Sequence, residues 1–178
     1  SLFSTVNVIL DADSAHPCLV VSDDGKQVNI GNREKEERKN RFGDYLGVLG
    51  KDGFSSGSFY FEVQVKNQPE WDLGVAKESC KRKGWMIYLR PEDGYWTVSL
   101  RDGEYLARDS SPVSLSLTVE PQRIGVFVDY EKRLVSFYDV ESMSHIHSFT
   151  GQSFTGKLFP FVSLGYWNEN STPLIICD

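Results

Sequence analysis

No stretch of this chain approaches the roughly 20 consecutive apolar residues that a membrane-spanning helix requires. The opening residues, Ser-Leu-Phe-Ser-Thr-Val, have neither the charged nor the apolar segment of a secretory signal. They also lack an initiator Met, which suggests a fragment of a longer protein. Cysteine is scarce. Cys18, Cys80 and Cys177 are far apart and form no C-x-x-C pair, so a structural zinc site and an even disulfide framework are both disfavoured. A reducing, cytoplasmic setting fits this usage. Positive charge is in deficit, with 19 Lys and Arg against 25 Asp and Glu and a net charge of −6. That balance argues against a nucleic-acid footprint spread over the whole domain, although a local basic patch is compatible with it.

Helical signal is missing as well. No window of a dozen residues carries an apolar stripe at helical spacing. Residues 33–39 (REKEERK) favour helix by composition but have no apolar face, and are expected to form a solvated loop. No internal repeat, low-complexity linker or compositional break appears, so residues 1–178 read as one domain.

What the chain does have is alternation with period two. In residues 58–65, Phe59, Phe61, Val63 and Val65 share one face. In residues 71–76, Trp71, Leu73 and Val75 fall together opposite Asp72, Gly74 and Ala76. In residues 95–100, Trp96, Val98 and Leu100 oppose Tyr95, Thr97 and Ser99. Such runs predict half-buried antiparallel strands. Further strands are expected at 6–10, 18–22, 27–30, 85–89, 123–130, 134–140, 145–150, 158–164 and 174–177. Asp-Gly occurs four times, at 24–25, 52–53, 93–94 and 102–103, and supplies the positive φ angles of tight hairpins. Many short strands punctuated by turns imply an all-β sandwich.

Catalytic constellations do not survive inspection. Gly53-Phe54-Ser55-Ser56-Gly57 matches G-x-S-x-G, but a nucleophile elbow needs a helix after it and an aromatic strand follows here. His145 and His147, two apart, would share a strand face and could offer two metal ligands, but no third ligand is placed by the sequence. The run Gly47 to Gly53 is neither a dinucleotide fingerprint nor a P-loop. Lys77, Lys81, Arg82, Lys83 and Arg90 form a basic cluster that suits either plain solvation or an acidic contact. Asn170-Ser171-Thr172 is a glycosylation sequon, relevant only outside the cell. No cofactor and no metal is expected. The remaining reading is a rigid scaffold that recognises something through its loops.

The segments 8–28 (VILDADSAHPCLVVSDDGKQV), 49–65 (LGKDGFSSGSFYFEVQV), 70–79 (EWDLGVAKES), 82–85 (RKGW), 93–100 (DGYWTVSL), 123–140 (RIGVFVDYEKRLVSFYDV) and 158–177 together resemble the PRY-SPRY domain of tripartite-motif ubiquitin ligases and butyrophilin-like proteins. The match runs in order over nearly the whole chain. It departs from the family at Leu10-Asp11-Ala12, where Leu-Asp-Pro is usual, and at Phe61, where Trp is usual. The resemblance implies a bent sandwich of two antiparallel sheets, of the concanavalin-like jelly-roll type. The PRY segment and its connecting loop would occupy about 1–45 and the SPRY part about 46–178.

It also implies a non-catalytic module that binds a protein target through loops at one rim. Such a module recruits substrates for an E3 ligase in innate-immune or regulatory signalling, within a parent dimerised by an upstream coiled coil; the isolated domain would be monomeric. A butyrophilin-like domain that binds a small anion or a signalling partner is the alternative. Neither nucleic-acid binding nor membrane insertion by this chain is implied. Carried over by motif, the binding rim comprises Asp72, Ser99, Arg101, Tyr166, Trp167 and Asn168. Ser99 and Arg101 stand where an antibody-binding member has aromatics. Arg33, Arg38 and Arg41, in the charged connector, are added because that segment carries specificity in capsid-recognising members. Trp71 is expected inside and Asp72 outside, so that replacing Asp72 or Trp167 would weaken binding without altering melting.

Overall fold

The structure, a computed structural model, describes residues 5–31, 42, 45–84 and 86–178. Among them are thirteen strands and a single 3₁₀ turn, Pro91–Asp93. The strands are β1 Leu19–Val21, β2 Gln27–Ile30, β3 Gly47–Leu49, β4 Ser58–Gln64, β5 Trp71–Lys77, β6 Tyr95–Arg101 and β7 Glu104–Ala107. They continue as β8 Val113–Leu115, β9 Arg123–Asp129, β10 Leu134–Asp139, β11 Ser144–Phe149, β12 Leu158–Ser163 and β13 Leu174–Cys177. Two antiparallel sheets result. One has the order β1-β2-β13-β4-β9-β10-β11 and the other β3-β12-β5-β6-β7-β8. The all-β sandwich expected from the alternation is the fold observed.

The main core lies between the sheets. Phe59, Phe61 and Val63 of β4, with Val126, Val128 and Phe137 of the neighbouring strands, meet Trp71, Leu73 and Val75 of β5 and Trp96, Val98 and Leu100 of β6. A second buried cluster covers the far face of the six-stranded sheet. There Ala76, Tyr95 and Phe161 pack against Phe42, Tyr45, Cys80, Ile87 and Leu89, which come from loops. The strands expected to be half-buried at 71–76 and 95–100 are therefore buried on both faces. Gly74 is needed where this sheet is tightest. A Cβ there would lie 2.1 Å from the Trp96 carbonyl oxygen.

Other expectations are corrected by the local geometry. Residues 6–10 form no strand, only isolated bridges at Thr5 and Leu10. Residues 86–89 lie against the sheet as irregular chain, and Trp85 is outside the described residues. Of the Asp-Gly pairs, two make hairpins. Asp102-Gly103 (φ 49° and 75°) joins β6 to β7 in a two-residue turn, and Asp24-Gly25 turns β1 into β2. Gly94 (φ 89°) instead closes the 3₁₀ turn, and Asp52-Gly53 lies in the loop between β3 and β4.

His145 and His147 do not share a face. The β10–β11 register slips between Phe137 and Tyr138, leaving Ile146 as the extra residue of a bulge. His145 bonds Ser148 Oγ at 2.7 Å and meets the Tyr138 ring, whereas His147 packs edge-on against core residue Phe149. No cluster of three metal-ligating side chains occurs among the described residues. Ser55 is exposed in a bend followed by β4, so the nucleophile elbow is not formed.

Candidate functional site

Asp72 of β5 and Ser99 of β6 are register partners on the face of the six-stranded sheet turned away from the main core. Asp72 is fully buried, at 0% exposure. This corrects the expectation that it points into solvent at the rim. The alternation places it opposite Trp71 as expected, but the segment carrying Tyr45 and the chain at 164–166 cover that side as well.

A buried carboxylate is costly unless it is paired and hydrogen-bonded. Here both oxygens are used. Oδ1 accepts from the Ser99 hydroxyl, and Oδ2 accepts from the Tyr45 hydroxyl and from Arg101 Nη2. Arg101 is anchored further by donating Nη1 to the carbonyls of Leu100 (3.0 Å) and Trp71 (3.3 Å). Arg108, just past β7, donates Nε to Ser99 Oγ at 3.0 Å. Burial and then the Asp72 charge push the Tyr45 hydroxyl well above its ordinary value, which keeps it a proton donor. For Arg101, burial opposes the cation, but the charge of Asp72 and its hydrogen bond outweigh burial and raise it above the ordinary arginine value.

This network holds up an exposed aromatic rim. The Tyr45 ring stacks on Phe161 (6.2 Å) and meets Tyr166 edge-on (5.5 Å). Gly165, at φ 76°, carries the chain directly over Arg101; a Cβ there would sit 3.1 Å from Nη2. The chain then presents Tyr166 and Trp167 to solvent, at 42% and 69% exposure. Asn168 Oδ1 accepts from the Asn170 N–H at 2.9 Å and holds the turn that follows. Across from them stands Tyr88, 51% exposed, with the Arg90 guanidinium over its ring at 5.3 Å. Between these groups lies a cavity of about 170 Å³ lined by Tyr88, Arg90, Arg101, Arg108, Pro112 and Tyr166.

Of the residues assigned to the rim from sequence, Ser99 joins Asp72 in the buried network, and Arg101, partly exposed, both pairs with Asp72 and lines the cavity. Tyr166, Trp167 and Asn168 occupy the surface above it. Arg33, Arg38 and Arg41 lie outside the described residues. Tyr45, Tyr88 and Arg108 were not anticipated. The one available signal for Tyr45 was its position, with Phe42, as an aromatic at the end of an otherwise charged connector. Of the basic cluster, Lys81, Arg82 and Lys83 line a separate cleft of about 760 Å³, whose walls also carry Asp11, Asp13 and Glu78.

Comparison with known proteins agrees with this architecture. The SPRY domain profile matches residues 58–177, and that of the SPRY-associated domain, PRY, matches residues 8–54. Human (Homo sapiens) pyrin is 44% identical over 177 residues, covering 97% of this chain and 22% of pyrin. The E3 ubiquitin-protein ligase TRIM21 of Mus musculus is 41% identical, covering 97% of this chain and 37% of the ligase. Butyrophilin subfamily 1 member A1 of Bos taurus is 38% identical, covering 97% and 32%. The chain thus spans well under half the length of these relatives. Among solved structures, the TRIM65 PSpry domain superposes with a TM-score of 0.81 at 20% identity, covering 98% of this chain and 91% of that one. The stonustoxin structure gives 0.82 at 19%, covering 97% and 27%. At such identities the two structures speak to fold.

Proposed function

The chain belongs to the SPRY domain family and carries its PRY segment, and from that premise we propose that it is a non-catalytic protein-interaction module whose binding surface is the Tyr88–Tyr166–Trp167 rim. The observation that carries this reading is the exposure of Trp167, at 69%, beside two exposed tyrosines and an arginine-lined cavity. Trp, Tyr and Arg in one patch are the composition of an interface hot spot. The Asp72 network supports the rim from below by holding Tyr45 and Arg101, on which Tyr166 and Gly165 rest.

In its finer form, the module recruits a protein target as the C-terminal domain of a tripartite-motif E3 ubiquitin ligase in innate-immune signalling. A RING domain and a dimerising coiled coil would precede it in a cytoplasmic parent, and the isolated domain would be monomeric. The butyrophilin-like alternative, a small anionic ligand, draws on the arginines of the cavity. It is the weaker reading because the rim cavity, at about 170 Å³, is below the roughly 300–1,000 Å³ typical of small-molecule sites, and the larger basic cleft carries Asp11, Asp13, Asp52 and Glu78 among its cations. Asp72 also already neutralises Arg101.

The experiment is proximity labelling and pull-down with the native domain and Trp167→Ala, followed by ubiquitination assays on the captured protein. Partners captured equally by both forms would remove the rim from consideration. Captured partners that no parent ligase modifies would remove the recruitment role alone.

A further inference from the structure

Charge around the rim cavity is unevenly satisfied. Arg101 is paired with Asp72, and Arg90 with Asp93 (2.9 Å) and Glu92 (3.9 Å). Arg108 has a hydrogen bond from Nε to Ser99 Oγ, and among the described residues no carboxylate lies within 4.0 Å of it. The neighbouring Asp109 directs Oδ1 to the N–H of Ser110 at 2.8 Å. One guanidinium is therefore held by Nε, while its two terminal nitrogens have no hydrogen-bond or ion-pair partner among the described residues, and Arg108 is one of the residues lining the cavity.

Resting on the reading of the rim as a protein-binding surface, we propose that Arg108 is its specificity-determining residue and receives an Asp or Glu side chain of the partner protein. The outer edge of a guanidinium offers two parallel N–H donors, which match the two oxygens of a carboxylate. The inner edge is fixed through Ser99, itself held by Asp72 and by the β5–β6 pairing, so the fork is oriented before the partner arrives. The cavity accommodates about one side chain, which places the anion on a protein rather than on a free metabolite. Tyr88, Pro112 and Tyr166 supply apolar walls for the methylenes that carry the carboxylate. Asp109 lines the same cavity without pairing to Arg108, so the positive charge there is small and suits one negative charge at most. With Asp109 adjacent and Asp72 behind Ser99, a dianion such as a phosphate group meets repulsion that a carboxylate meets less.

The test selects binders to the 178-residue chain from a random peptide library and measures them against wild type, Arg108→Gln and Arg108→Lys. The expected result is a set of rim binders, lost on Trp167→Ala, that share Asp or Glu at one aligned position. Changing that residue to Gln or Asn weakens binding roughly ten-fold or more, as losing a charged hydrogen-bond pair does. Arg108→Gln weakens the acidic peptide by the same factor and leaves the amide version unchanged, while Arg108→Lys falls between. Melting curves confirm that each variant is folded. If Arg108→Gln does not fold, Arg108→Lys and the acid–amide peptide pair on the wild-type chain decide.

Rim binders without a shared acidic position overturn this inference and leave the rim standing, as does an acid–amide difference that persists in Arg108→Gln. A phosphorylated peptide that binds more tightly than its glutamate counterpart also overturns it, in favour of a dianion. If no peptide binds at the rim, this inference and the proposed function fall together.

Discussion

Strands β4 and β5 are each seven residues long and alternate apolar side chains with the same period, yet they end in different environments. In β4 the second face, with Glu62 and Gln64, stays half-buried, and its charges are held loosely. Glu62 accepts from the Tyr60 hydroxyl at 2.8 Å and pairs with Arg123 at 3.4 Å. In β5 the second face carries Asp72, Gly74 and Ala76, all buried. Its residues are small or, in Asp72, completely hydrogen-bonded, which lets Phe42, Tyr45, Ile87 and Leu89 close over the sheet. A polar position opposite an apolar one therefore marks the other face of the strand and leaves open what lies upon it. The same second cover makes the six-stranded sheet the platform of the candidate site, because Tyr166 rests on the buried Tyr45 and Gly165 lies over Arg101.

The largest effects that would break this contrast are at Trp71 and Asp72. Trp71→Ala is expected to cost about 3–5 kcal/mol in chemical denaturation, as for other large core truncations. Asp72→Ala is expected to cost a similar ~3–5 kcal/mol, because it leaves the Arg101 charge buried without its partner. The equivalent change on the other sheet, Glu62→Ala, should cost under about 1 kcal/mol, as for a partly exposed pair. Equal costs for Asp72→Ala and Glu62→Ala would mean that the two faces do not differ as described. The sequence-based expectation that Asp72→Ala would leave melting unchanged does not hold for a sealed carboxylate.

Tyr45→Phe sharpens the comparison at smaller scale. It removes one of the donors to Asp72 while keeping the ring packing, and should cost about 1–2 kcal/mol by urea titration. At the surface, Trp167→Ala should move stability by no more than about 0.5 kcal/mol while weakening partner affinity by about 1–3 kcal/mol in calorimetry. A substantial loss of stability there would mean that Trp167 caps the sheet instead of meeting a partner.

The smallest effect concerns His147, on the inner side of the seven-stranded sheet's edge strand. Burial lowers its pKa below 6.5, and its Nε2 has no hydrogen-bond partner. A base depressed in the folded state binds its proton more readily when unfolded. The stability it allows is thus present above about pH 6.5 and declines as pH falls through that value toward the folded pKa. Melting temperature should drop less steeply over that window in His147→Gln than in wild type; identical slopes would show that His147 does not titrate differently on folding.

Much of the sandwich was legible because strand pattern is local. The β2 and β13 ranges agree with the alternation and turn signals residue for residue, and those of β4, β9 and β12 differ by one residue at one end. Short edge elements such as β3 and β8, three residues each, carry too few side chains to show a period. The site was legible only in part. Ser99, Arg101, Tyr166 and Trp167 could be placed by motif, whereas Tyr88 lies in a segment whose pattern suggested a strand but which is irregular, and Arg108 comes from a loop with no periodic signature.

By itself the sequence determined that this protein is a two-sheet β sandwich with Trp71, Trp96, Phe59 and Phe61 facing inward, since period-two alternation and Asp-Gly turns act over a few residues. Only the tertiary structure decided that Asp72 is sealed and paired with Arg101, and that Arg108 keeps an open edge. Those outcomes depend on which distant segments, among them that of Tyr45, settle over the second face, and burial and charge pairing are set by neighbours remote in the chain.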